Sequence, residues 1–484
     1  KLQKALRLAA VLDGATLTLP DGGGAFMLSD YYGNAVPAQD GKIVVPLNGL
    51  GYMLRTDGSA GSFAQLLDAL KSARIDGLTP LDVRARDLLA RVGVGQPSAL
   101  QLTLTNVLNR PISGELSVRL ADFILEAPPN PLVFAAHETK AVTLEIAPNS
   151  RSTANNTYPL KLSFDAGADG KVVHEENLHV NVIAKKTITV DGDLKDWEGV
   201  LPQPVTGGGA GGANLTEKAW LPFMQFDEKT TSGVATGYLA YDDNAFYFAA
   251  KIADDSPYDG NVRFATRDDD QYYYPETCFL PQKDNKGNVK QRRELKWPEG
   301  VRRYSYRKNP DTPSGDGTDN VLLAFGVLPP GQNGMLSHPP GTMPRYMAWK
   351  CTDYEYALNQ VAPKYGGGTE LWRLMAPGVP RKHFYPRQPK AQVDGGPVEN
   401  GKLAIRRDGN TRIVEAALPW SEIPEVKKRL DSGQPIRFSF RVNNNKGGPL
   451  ELAANRSVSQ ININAFHDYW QDSWAADVEF GFEK

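Results

Sequence analysis

The chain has 484 residues, too many for one ordinary core, and a prior of about 150 residues per domain points to three. Its 46 Gly and 35 Pro, with 41% hydrophobic and 23% charged residues, describe a turn-rich chain of the kind all-β sandwiches produce. A net charge of −2 argues against phosphate-driven nucleic-acid binding, which needs a basic face, and no apolar run approaches the ~18 residues of a membrane-spanning helix.

In chain order, residues 1 to about 60 alternate in short apolar runs around Leu17, Phe26 and Ile43, separated by turn chemistries at Asp13-Gly14, Pro20-Asp21-Gly22 and Asp40-Gly41. This predicts part of an antiparallel sandwich. Ser62 with Gln65 reads as a capping box ahead of Leu66, Leu67 and Leu70, predicting one short helix over 63–72, ended by a linker from Ile75 to Pro80. Longer alternating strands follow, carried by Leu100, Leu102 and Leu104, then Leu116 to Leu120, Val142 to Ile146, Leu160 to Phe164 and Leu178 to Val182. Several strands of this length predict an immunoglobulin-like sandwich acting as a spacer.

The last region is different, because all eight Trp lie after residue 187. Packing uses one or two per domain, so part of the surplus is expected to line a site. The segment opens with Ile188-x-Val190-Asp191-Gly192-x-Leu194-x-Asp196-Trp197. It continues with a strand in which Phe246, Phe248, Ala250 and Ile252 alternate with Tyr247, Ala249 and Lys251, entered through a turn at Asp242-Asp243-Asn244. Period two puts that apolar set on one face.

Together with Ile413-Val414-Glu415-Ala416-Ala417-Leu418-Pro419-Trp420, these pieces resemble the family 9 carbohydrate-binding modules over residues 188 to 484. Two weaker resemblances precede it. Asp30 to Pro37 with Ile43 to Leu54 looks like the small β-sandwich that follows the catalytic barrel in many glycoside hydrolases. Leu104 to Gly114 resembles a hairpin of bacterial Ig-like spacers. The expected division is therefore 1–78 (partial sandwich with the helix), 79–186 (Ig-like spacer) and 187–484 (family 9-like module), three antiparallel β-sandwiches in an all-β chain. The resemblance implies an extracytoplasmic accessory region whose catalytic domain precedes Lys1 in a larger protein.

Sugar binding needs flat apolar faces for pyranose C–H patches and forked polar groups for hydroxyls. Residues 345 to 388 concentrate both and, being rich in Gly and Pro, read as a long loop. The candidates are Trp349, Trp372, Glu370, Arg373, Tyr354 and Tyr385, with Trp470 near the last strand as a second aromatic group; the partner expected is a poly- or oligosaccharide. Trp197 and Trp420 adjoin strand ends and are expected in the core. Relatives of the family often hold structural calcium, for which Asp254, Asp255 and Asp259 are the oxygen donors, solvated carboxylates being the simpler account of them. A haem held by Met335, Met343 or Met347 with His338 or His383 is a further cofactor reading, against which isolated Met in a proline-rich stretch is a packing residue. Cys278 and Cys351 form no disulfide framework; they are a single pair or two buried thiols. Two other functions fit the same composition: a glycan hydrolase or lyase with its site between about 256 and 400, and an assembly module whose aromatic loop is a protein interface.

Overall fold

A computed structural model describes residues 5–8, 11–93, 98–148, 152–207, 217–257, 276–283, 289–296, 319–327, 353–360, 367–376, 396–398, 400–444, 450–456 and 478–484. The chain is all-β and divides into two compact units, one of Lys1–Leu88, Val92–Arg151 and Tyr158–Leu178, the other of Leu89–Arg91, Ser152–Thr157 and His179–Lys484.

The first unit contains two pairs of sheets. In one pair, a four-stranded sheet (Ala5–Leu8, Tyr52–Thr56, Phe26–Ser29, Ala35–Val36) accompanies a three-stranded sheet (Lys42–Asn48, Val11–Pro20, Arg74–Asp76) around Leu19, Phe26, Ile43, Val45 and Leu54. The helix runs over Ser62–Lys71, as the pattern predicts, but its cap differs. Gly61, at φ 82°, holds the N-cap position with no side-chain cap, and the Ser62 hydroxyl donates backwards to Ser59 O at 2.8 Å. A glycine in the left-handed region ends the preceding turn without a Cβ penalty, so the capping box never forms. Leu66 and Leu70, four residues apart, face the core, whereas Leu67 is 39% exposed. The expected linker is also corrected: Arg74–Asp76 is a strand paired with Thr16–Thr18.

In the other pair, Leu132–Phe134, Ile112–Leu120, Tyr158–Asp165 and Lys171–Leu178 form one sheet and Thr139–Ile146, Ser98–Asn106 and Leu81–Ala85 the second. Leu100, Leu102, Leu104, Leu144, Leu160, Leu162 and Phe164 are all buried, as their period-two spacing predicts. The hairpin expected over residues 104–114 is corrected: Ser98–Asn106 and Ile112–Leu120 belong to different sheets, so the segment between them crosses from one sheet to the other, and Asn106 shapes its turn. Its buried amide donates to Arg110 O and Ala135 O at 2.8 Å each and accepts from Leu108 N.

The second unit is built on a 13-stranded sheet. Its path runs Gly396–Pro397, Thr369–Met375, Tyr354–Gln360, Asn320–Gly326, Ile436–Asn443, Glu479–Phe482, Val182–Lys185, Val234–Tyr241, Ala245–Ala253, Thr411–Pro419 and Lys402–Asp408. A sheet of this width does not stay open. It folds back so that Phe246 and Phe248 from one half pack on Phe438 and Phe440 from the other, with ring centroids 5.1 to 6.2 Å apart across Phe246–Phe325, Phe246–Phe438 and Phe248–Phe438. Gly237 permits this approach, because a Cβ there would lie 2.4 Å from a ring carbon of Phe440.

The Ala245–Ala253 strand departs from the expected single buried face: every residue in it is buried. Phe246, Phe248, Ala250 and Ile252 enter the central core, while Ala245, Tyr247 and Ala249 pack on the other side against Ile188, Leu194, Trp197 and Tyr238. The Asp191–Trp197 turn thus covers the outer face of this half of the sandwich. The segment expected to be a long loop also contains two strands, Tyr354–Gln360 and Thr369–Met375. The alternation of Tyr354, Tyr356 and Leu358 with Glu355, Ala357 and Asn359 is their sequence signal. A further helix, Pro424–Asp431, starts on its proline. Among the described residues, no helix is long and apolar enough to cross a membrane.

A candidate carbohydrate-binding face

Two outer faces of the second unit's sandwich differ in chemistry. On the half made by Asn320–Gly326, Tyr354–Gln360, Thr369–Met375 and Ile436–Asn443, the residues Val321, Leu323, Leu358, Leu371, Phe440 and Val442 point into the central core. Their chain neighbours therefore point outward. In register across the four strands these neighbours form two rows. The first is Glu370, Asn359, Asn320 and Asn443; the second is Trp372, Ala357, Leu322 and Arg441, extended by Glu451.

The first row is polar and, apart from Glu370, enclosed; the second is mostly apolar and ends in a buried ion pair. Asn359, Asn320 and Asn443 are 1%, 3% and 4% exposed, and the Asn443 amide donates to Asn320 Oδ1 at 2.8 Å. Arg441 donates to Glu451 Oε2 through Nε at 2.8 Å and Nη2 at 2.5 Å, both side chains being buried. Glu370 and Trp372, on the strand next to the sheet edge, are half-buried. Burying amides and an ion pair is costly unless each is held in a defined geometry, so such a row fixes donors and acceptors in place. What reaches the surface is the Trp372 ring beside the Glu370 carboxylate, with the enclosed ladder of amides behind them.

The pleat divides the predicted residues between two places. Trp372 and Glu370 share the outer face, but Arg373 points inward with Leu371, where its Nε lies 2.7 Å from Glu422 Oε1. The same carboxylate accepts from the Tyr356 hydroxyl at 3.1 Å. Tyr354 is 2% exposed, stacks on Tyr356 at 14° with centroids 6.4 Å apart, and donates its hydroxyl to Glu425. Burial, with the carboxylates beside them, pushes both phenols well above the usual tyrosine value. These two tyrosines tie the sandwich to the Pro424–Asp431 helix. Trp349, Tyr385 and Trp470 lie outside the described residues, as do Cys351 and the Met and His residues of the haem reading.

The other polar residues of the rows, Asn359, Asn320, Asn443, Arg441 and Glu451, are not among those that the sequence pattern singles out. A signal was present, since Ser439, Arg441 and Asn443 alternate with Phe438, Phe440 and Val442. Period two with an apolar set inside leaves a polar set to be explained.

At one end of the sandwich Asp254, expected among calcium donors, sits between two guanidinium groups. Its Oδ2 lies 2.9 Å from Arg407 Nη1 and 3.0 Å from Arg412 Nε, while Arg407 Nη2 reaches Asp319 at 2.8 Å. Asp255 is exposed, and Asp259 lies outside the described residues. A hard cation needs several oxygen ligands free of competing positive charge. Asp254 does not fit that requirement, and among the described residues no group of three or more His, Cys, Asp or Glu is placed to hold a metal ion.

The family-like motifs have a structural role of their own. Glu415, fully buried, accepts Trp197 Nε1 at 2.7 Å on one oxygen and the backbone N–H groups of Asp191 and Gly192 at 2.9 Å on the other. It fastens the Val190-Asp191-Gly192 turn and Trp197 to the strand Thr411–Pro419. Desolvation raises its carboxyl above the ordinary glutamate value, against the three N–H donors, which favour the anion. Gly192, at φ 84°, supplies the turn. Trp420 is 8% exposed and donates its Nε1 to Asp242 O at 2.9 Å, so both expected core tryptophans are packed and hydrogen-bonded.

No family model matches the chain, and no curated protein sequence matches it. Among solved structures the chain is similar to a carbohydrate binding module family 9 (CBM9) from Caldicellulosiruptor kristjanssonii in complex with cellotriose. The identity is 14% and the TM-score 0.27, over 63% of this chain and 93% of that chain.

Proposed function

We propose that the second unit binds a poly- or oligosaccharide on the outer face formed by Thr369–Met375, Tyr354–Gln360, Asn320–Gly326 and Ile436–Asn443. The observation that carries this is the register of two rows on one face: Trp372 next to Glu370, backed by the fixed amides of Asn359, Asn320 and Asn443. A pyranose offers a C–H face to an aromatic ring and hydroxyls to forked donors and acceptors, and the half-buried Trp372 and Glu370 are one of each, held in place by the enclosed amides behind them. Trp349, Tyr385 and Trp470 belong to the proposal as aromatic groups read from sequence. The sequence resemblance over 188–484 supports the same reading, and with it a role as an accessory region of a larger extracytoplasmic glycan-degrading protein.

Isothermal calorimetry and affinity electrophoresis against cello-, xylo- and manno-oligosaccharides and their parent polymers test the reading. Binding to at least one glycan, weakened by Trp372→Ala and by Asn359→Ala, is the expected result. A protein inert to the whole panel, or one whose binding neither variant alters, overturns it.

A further inference from the structure

The opposite outer face carries a second feature, independent of those rows. Between the Gly192–Lys195 turn and the strand Lys402–Asp408 lies a groove of about 190 Å³, lined by Phe223, Met224, Gln225, Arg406 and Asp408 among others. Its wall is the strap that follows Trp220. In that strap Leu221, Phe223 and Met224 are 40%, 40% and 37% exposed, and among the described residues of the second unit they are the exposed large hydrophobic side chains.

The strap is not loose. Tyr238 donates its hydroxyl to Trp220 O at 3.0 Å, and Phe226 N donates to Thr411 Oγ1 at 3.1 Å. Between these anchors the buried Lys251 ammonium donates to Ala219 O at 2.5 Å and to Leu221 O and Met224 O at 2.8 Å, with its Nζ 4.8 Å from the centroid of Phe226. Burial pushes this lysine down to about 7, since desolvation disfavours the cation. The chain thus commits a buried lysine to holding apolar side chains in water, the reverse of ordinary packing preference.

We propose that this strap and groove form a second saccharide subsite, taking one uncharged pyranose ring on Phe223 and Met224 with its hydroxyls on Arg406, Asp408 and Gln225. The inference rests on the carbohydrate-binding reading above for its ligand class, but not on the same residues. Three features select the occupant. The groove is smaller than the about 300–1,000 Å³ of sites for drug-sized ligands, and so suits a single ring. Its exposed charged walls are Asp193 and Asp408 against Lys195 and Arg406, and Lys251, which also lines it, is already taken up by the strap carbonyls, so no surplus of one sign calls for an anion or a charged peptide. Finally, Arg406 and Asp408 project from alternate positions of one strand, a guanidinium and a carboxylate on the same side as the exposed ring. Two subsites on opposite faces would let one chain engage two strands of a polymer, raising avidity without any new contact.

The test uses the full chain with cellohexaose, xylohexaose and mannohexaose, followed by calorimetry, gel filtration and thermal melting. The variants are Phe223→Ala, Arg406→Ala, Trp372→Ala and the double variant Trp372→Ala/Phe223→Ala. Phe223 and Arg406 are exposed, so their variants should melt with the wild type. The expected result is a stoichiometry of two for the wild type and one for Phe223→Ala, with Trp372→Ala keeping residual binding that the double variant loses. Avidity for the insoluble polymer should fall about tenfold or more in Phe223→Ala. If Trp372→Ala alone abolishes binding while Phe223→Ala binds as wild type, the second subsite is overturned and the first face stands. If Trp372→Ala is silent and Phe223→Ala abolishes binding, the second stands and the first falls. A dimer that Phe223→Ala dissolves would show that the strap seats a second copy, and would overturn the inference; a wild type inert to all three probes would overturn both.

Discussion

The two outer faces of the second unit's sandwich solve opposite problems. Over Val234–Tyr241 and Ala245–Ala253 the face is mostly apolar, and the chain seals it with its own turn at Asp191–Trp197 and with a strap, which Glu415 and Lys251, buried on that same side, hold in place. Over Asn320–Gly326 and Ile436–Asn443 the corresponding face is built from amides, an arginine and carboxylates set in register. An apolar face is satisfied by any cover that excludes water, whereas a polar one demands partners at fixed positions. Motifs on the first face therefore report folding, and those on the second are the ones on which the proposed recognition rests.

The largest effect expected from breaking this division is on the apolar side. Trp197→Ala removes a fully buried indole and should cost about 3 to 5 kcal/mol of unfolding free energy in urea, since the sheet cannot collapse into the cavity. A loss under about 1 kcal/mol would show that the turn is not a core element. Next, Glu415→Ala leaves the Trp197 indole N–H and two backbone N–H groups without their acceptor. Each unsatisfied donor costs about 1–3 kcal/mol, so this variant should approach the Trp197 change; Glu415→Gln, which keeps an acceptor oxygen, should recover part of it.

On the polar side the prediction is inverted. Trp372→Ala should weaken glycan binding by about 1 to 3 kcal/mol, roughly ten- to a hundredfold, taking the scale of a buried aromatic contact, while the melting temperature moves little. An unfolded Trp372→Ala protein would place that ring with the core residues and collapse the contrast between the faces.

The smallest effects are in pH dependence. Lys251 is lowered from 10.5 to about 7, so between those values the unfolded chain holds a proton that the folded chain has released. Stability from this group is complete above about 10.5 and is lost as pH falls through 7. Glu415 is raised, so the folded chain holds more protons just above the ordinary glutamate range, and stability from this group, present below that range, is lost as pH rises through its folded value. Urea midpoints measured against pH should show a rising slope through 7 to 10 that Lys251→Met flattens, and a falling slope on the acid side that Glu415→Gln flattens. A Lys251→Met protein with the wild-type slope would mean that the three carbonyls hold the ammonium charged throughout.

Alternation along the chain is a local property, and it made the strands legible: Leu100 to Leu104, Leu160 to Phe164 and Phe246 to Ile252 are where period two places them. It also marked Trp197 and Trp420, beside strand ends, as core residues. Local pattern misled where a local alternative won, as at Gly61, whose left-handed backbone displaced the Ser62 cap. Dense aromatic and glycine content hid the strands Tyr354–Gln360 and Thr369–Met375 inside an apparent loop. Sequence proximity grouped Tyr354, Glu370, Trp372 and Arg373 as one site, but the pleat sends Trp372 and Arg373 to opposite sides of the sheet. Only the tertiary structure decided which strands lie side by side, and with that everything that depends on distant partners. Glu415 meets Trp197 across 218 residues, Lys251 meets the strap carbonyls, and Glu370, Asn359, Asn320 and Asn443 become one row because four strands share a register. No residue in that row carries a signal of the others, because hydrogen-bonded register between strands is fixed by the whole core they enclose.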